Sequence, residues 1–76
     1  MQTIEDVVSS VFGVERESVD DSSSPTSVEG WDSIGHVNLV SALEQAFNVS
    51  IDIDDVMEMA SVRKIRETLL AYGVRA

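Results

Sequence analysis

With 76 residues, of which 14 are acidic and 5 basic, the chain has room for one small domain (1–76), near the lower size limit of what folds without metals or crosslinks. It has no cysteine, which excludes disulfides, thiolate metal sites and a cysteine nucleophile, so any thiol must come from outside the polypeptide. The formal charge of −9 sets the surface against the phosphates of nucleic acid and anionic membrane and favours basic protein partners.

No apolar run approaches the length of a membrane span and no signal peptide is evident, so a soluble cytoplasmic protein is expected. The acid is unevenly placed. From Glu17 through Val62 there is no Lys or Arg, whereas Arg63, Lys64, Arg66 and Arg75 crowd the end of the chain. The middle therefore presents an anionic face, which serves solubility and can steer basic partners.

Ile4, Val7, Val8, Val11 and Phe12 recur at helical spacing and predict a first amphipathic helix of about three turns, an element of core and not of chemistry. Thr3 is placed to cap it, Asp6 completes an approximate capping box, and Gly13 ends it. Periodicity then disappears from Val14 to Asp32. Ser22-Ser23-Ser24-Pro25-Thr26-Ser27 is loop chemistry, and Val14, Val19, Val28 and Trp31 are the residues expected to pin this long connection to the core.

The second helix is predicted over Ser33–Phe47, with Ser33 as its N-cap and Leu39, Val40, Leu43 and Phe47 on the core face. Gly30 permits a sharp turn ahead of it and Asp32 adds negative charge at its positive end. Ile34 and Val37 fall away from the core face and form an apolar patch beside Ser33. His36, one turn beyond Ser33, invites comparison with a serine hydrolase. Neighbours at one helix start supply neither an oriented base nor an oxyanion hole, so His36 is read as a partly buried packing residue.

Val49, Ile51 and Ile53 alternate with polar residues as in a strand, but with no second strand to pair they are read as an extended connection. A short third helix is predicted around Asp54–Met59, its acids at the positive dipole end. Asp52, Asp54, Asp55 and Glu58 lack the glycine and terminal glutamate spacing of an EF-hand. Met57 and Met59 stand where an adaptable core could yield to a guest. Ser61 caps a fourth helix in which Val62, Ile65, Leu69 and Tyr72 share a face, and Gly73 ends it. The expected fold is all-α, a small four-helix bundle with a long loop between the first two helices.

The triplet Asp32-Ser33-Ile34 at a helix start resembles the Asp-Ser-Leu of the acyl carrier protein family, with Ile in the third position. Val37-x-Leu39-Val40-x-Ala42-Leu43-Glu44 ending at Phe47, then Ile51, a short acidic helix and Ser61-Val62, extend the resemblance over nearly the whole chain. The resemblance implies that Ser33 carries 4'-phosphopantetheine, joined from coenzyme A by a phosphopantetheinyl transferase. It also implies that Asp32, Ile34, Val37, Glu44, Asp54 and Asp55 form the face read by acyl-loading and acyl-transfer enzymes with basic docking surfaces.

Such a chain catalyses nothing itself, and is expected to be a monomer with no nucleic-acid partner. Asn38, Gln45 and Ala46, and the apolar Ile53 and Met57, depart from the fatty-acid pattern, while Trp31, Gly35 and His36 look more like carriers of specialised pathways. Polyketide or nonribosomal assembly, aminoacyl or polysaccharide modification and fatty-acid synthesis all stay open. An unmodified acidic helical adaptor is the competing reading, for which Ser33→Ala would weaken the helix by about 1 kcal/mol without abolishing function.

Overall fold

The computed structural model describes residues 2–75. Four helices follow in order: α1 (Ile4–Phe12), α2 (Ser33–Phe47), α3 (Ile53–Glu58) and α4 (Val62–Ala71), with a 3-10 turn at Arg16–Ser18 and no strand among the described residues. No helix among them is long and apolar enough to cross a membrane.

Helix α1 begins as its sequence dictates. The Thr3 hydroxyl accepts from the Asp6 N–H at 3.1 Å and the Asp6 carboxylate accepts from the Thr3 N–H at 3.0 Å, a reciprocal capping box. Arg16 adds a bond from Nε to the same carboxylate at 2.9 Å. The Thr3 backbone and hydroxyl, with Arg16, hold the Asp6 carboxyl below the usual carboxylate range. Gly13 takes the left-handed conformation (φ 65°) and ends the helix.

The connection between α1 and α2 is ordered by its own turns and by the core. Ser23 is buried, its hydroxyl accepting from the Asp20 N–H, while the Ser23 and Asp21 carbonyls accept from Val62 N–H (2.9 Å) and Arg63 N–H (3.1 Å) at the start of α4. The loop thus satisfies backbone donors that a helix N-terminus leaves free. Val19, Val28 and Trp31 are buried and Val14 is packed against the same cluster, as their apolar character predicts.

One core joins the elements: Ile4, Val7 and Val8 of α1, Leu39 and Leu43 of α2, and Val62, Ile65 and Leu69 of α4, closed by Met59 beyond the end of α3. Phe47 is half-buried at its edge. Arg66 of α4 pairs with Glu5 of α1 and, at 3.1 Å, with Asp21 of the loop, lacing three segments on one side.

Helix α3 runs Ile53–Glu58, one residue earlier than the acidic cluster suggests, with Asp52 rather than a later acid at the cap position. Met59 is wholly buried, but Met57 is exposed, contrary to its expected place in the core. In a helix this short, Ile53 and Met57 are one turn apart and share the outer face, whereas Met59 points inward as the chain leaves the helix. Tyr72, the C-cap of α4, donates to the Asp55 carboxylate at 2.6 Å and accepts from the Asp52 N–H at 2.9 Å, tying α3 to the end of the chain.

Candidate functional site

The start of α2 is built around a close approach of two glycines. Gly30 adopts φ 92°, a conformation that L side chains rarely take, and this brings its carbonyl over the first turn of the helix. Gly35 is buried beneath it, and a Cβ there would lie 2.0 Å from the Gly30 oxygen and 2.9 Å from the Phe12 ring. Both glycines are therefore required by the path that delivers Ser33 to its place.

Capping falls to Asp32. Its backbone is extended, its Oδ1 accepts from the Gly35 N–H at 2.8 Å, and its carbonyl accepts from the His36 N–H at 2.7 Å. The reading of Ser33 as the N-cap is thus corrected by one residue, because the residue with extended backbone precedes it and Ser33 already lies in the helix. The consequence is chemical. Ser33 is exposed and its hydroxyl has no hydrogen-bond partner among the described residues, so it is spared from structural duty.

Trp31 anchors the turn. It is buried against Phe12, with ring centroids 5.6 Å apart at 21°, and its indole N–H donates to Nδ1 of His36 at 2.9 Å. An indole nitrogen only donates, so Nδ1 accepts and Nε2 carries the proton, which it donates to the Val56 carbonyl at 2.7 Å. His36 is the half-buried packing residue expected, bridging the loop, α2 and α3, and is positioned for no hydrolytic role.

Beside Ser33, a surface cleft of about 560 Å³ runs between the loop, α2 and α3, lined in part by Pro25, Trp31, Val37, Met57 and Met59. Val37, Ile53 and Met57 line it between 64% and 77% exposed, and Ile34, next to Ser33 in sequence, is 75% exposed. The sequence signalled Ile34 and Val37 but not the Val56 carbonyl or Pro25, whose places depend on how α3 and the loop fold back. Of the acids expected on a partner face, Asp32 and Asp54 are exposed. Glu44 instead accepts from the Ile51 N–H at 2.8 Å and Asp55 from Tyr72, so each is engaged within the fold.

These residues fit a phosphopantetheine group. A hydroxyl with no partner among the described residues stands in the first turn of a 15-residue helix, whose dipole and N–H groups favour a phosphate, and an apolar cleft adjoins it for the arm.

A family model described as a phosphopantetheine attachment site matches residues 2–69. The acyl carrier protein of Cyanidium caldarium is 31% identical over 70 residues, covering 92% of this chain and 81% of that protein. With its helical fold, its exposed helix-start serine and a family match across most of its length, this chain belongs to the phosphopantetheine-binding acyl carrier protein family, non-catalytic carriers that bear their prosthetic group covalently.

Proposed function

We propose that the chain is a single carrier domain that holds acyl groups on a phosphopantetheine arm at Ser33 and presents them to successive enzymes of fatty-acid, polyketide or related biosynthesis. The observation that carries this is the Ser33 hydroxyl, exposed and without a partner among the described residues because Asp32 makes the capping bond to Gly35. When bound, the arm supplies a thiol, which this cysteine-free chain lacks, for thioester attachment of the cargo.

The chain's own residues hold and present that group. Asp32 and Gly35 fix the first turn of α2 so that Ser33 sits on a rigid element, and the helix end favours the phosphodiester by about 0.3–1 kcal/mol. Trp31, Val37 and Met57 give the arm an apolar wall to lie against, while the loop–helix junction leaves the hydroxyl open to a transferase. Tethering raises the effective concentration of cargo for any docked enzyme.

Asp32, Ile34, Val37, Glu44, Asp54 and Asp55 are the proposed partner face, with Ile34, Val37 and Asp54 the members left wholly to contact. The charge of −9 supports basic partner surfaces, encountered by a monomer in the cytoplasm. The test is intact-protein mass after incubation with coenzyme A, magnesium and a broad-specificity phosphopantetheinyl transferase. Wild type is expected to gain one phosphopantetheine group and Ser33→Ala none. A folded wild type that gains nothing with several transferases would leave the unmodified adaptor as the better reading.

A further inference from the structure

An arm at Ser33 gives an alkyl cargo two places to go: the surface cleft, or the apolar core that α1, α2, α4 and Met59 form. A hydrogen-bonded strap along the cleft wall ties the loop and α2 to α3. The Trp31 indole N–H, the His36 ring and the Val56 carbonyl join the loop, the first turn of α2 and α3 in one line of bonds, 2.9 and 2.7 Å long. Leu39 and Leu43 are wholly buried, as is Met59 in the cleft wall, so an incoming chain would have to displace α3 from α2. That movement parts His36 from Val56 and leaves a ring N–H and a carbonyl without their partners, an opposing cost that a surface-bound cargo does not meet.

We propose that His36 is a specificity-determining residue of the carrier: by tying Trp31 to α3 it closes the interior, so that cargo on Ser33 lies along Trp31, Val37 and Met57 within reach of water. The inference rests on Ser33 being the attachment residue. Its consequence is a carrier of short or polar acyl groups, whose alkyl length the core does not sense. His36 acts here as a positioning residue, through Trp31 and α3, and touches none of the reacting atoms.

The test charges wild type, His36→Phe and His36→Leu from butyryl-, octanoyl- and dodecanoyl-coenzyme A with a promiscuous transferase, verifying loading by intact mass. Two quantities are then read for each: the rate of thioester cleavage by hydroxylamine and the melting temperature. A cargo buried most of the time is cleaved only through its exposed fraction, so about fivefold protection marks an occupied interior.

Wild type is expected to lose dodecanoyl and butyryl at rates within about twofold of each other, with no rise in melting temperature along the series. Both variants, each lacking the His36 bonds to Trp31 and Val56, are expected to protect dodecanoyl about fivefold over butyryl and to melt higher as the chain lengthens. Dodecanoyl protection in loaded wild type would overturn the strap inference alone, as would length independence in the variants. Should His36→Phe not fold, the smaller His36→Leu, which also removes the bond to Val56, supplies the variant comparison. A folded wild type that gains no mass overturns the Ser33 reading, and this inference with it.

Discussion

Replacing Gly35 by Ala is the sharpest perturbation of the site that leaves its chemistry untouched. In an unconstrained helix the change would stabilise by about 1 kcal/mol, since alanine loses less backbone freedom on folding than glycine. Here the added Cβ meets the Gly30 carbonyl oxygen at 2.0 Å and its carbon at 3.1 Å. The Phe12 ring, 2.9 Å away, can rotate aside, but a backbone carbonyl moves only if the whole turn moves, and Trp31 and Asp32 move with it. Overpacking of this kind costs about 1–3 kcal/mol or more, so the steric term wins and the variant is less stable by roughly 1–2 kcal/mol.

At about 4–8 °C per kcal/mol for a domain of this size, the melting temperature falls by roughly 5–15 °C. Thermal unfolding followed by circular dichroism gives the global value, and fluorescence of Trp31, the sole tryptophan, reports the turn itself. Gly13→Ala separates the two effects: its φ of 65° strains an alanine where nothing lies within 4 Å of the added carbon, whereas Gly35 has helical backbone and meets only the steric clash. A Gly35→Ala protein as stable as wild type, with unshifted Trp31 emission, would refute the close-approach account of how Ser33 is placed.

Because Asp32 and not Ser33 caps α2, Ser33→Ala is expected to change stability by less than about 0.5 kcal/mol, whereas Asp32→Ala costs about 1 kcal/mol; urea titrations of the two distinguish the assignments. Met59→Ala is expected to cost about 2–5 kcal/mol and the exposed Met57→Ala less than about 0.5 kcal/mol, again by denaturant midpoint. On the acid side, the bonds that hold the Asp6 carboxyl below its ordinary value stabilise fully above about pH 4, and this is lost as pH falls through the lowered value; Asp6→Asn should flatten that limb of a stability–pH curve. On the alkaline side, the Asp52 N–H draws the Tyr72 phenol down, but its bond to Asp55 and the two nearby carboxylates outweigh this and push it up. The neutral phenol therefore stabilises fully below about pH 10, and the contribution vanishes as pH rises through the raised value; Tyr72→Phe should remove that loss.

What the sequence determined by itself was whatever is decided within a few residues. Thr3, Asp6 and Gly13 bound α1, and Ser61, whose hydroxyl accepts from the Lys64 N–H at 3.2 Å, starts α4, because caps and left-handed stops act over a single turn. The apolar spacing of α1, α2 and α4 likewise marked the faces that became the core, and the Asp32-Ser33-Ile34 resemblance singled out the serine. Tertiary structure alone chose between two adjacent residues, both good cap formers, at the start of α2, and it chose by running the Gly30 carbonyl over Gly35. It also turned Met57 outward and Met59 inward, joined His36 to a carbonyl 20 residues away, and engaged Asp55 with Tyr72. Backbone carbonyls carry no residue-specific signal, and contacts between distant segments depend on how whole elements dock, so none of these choices is written in local pattern.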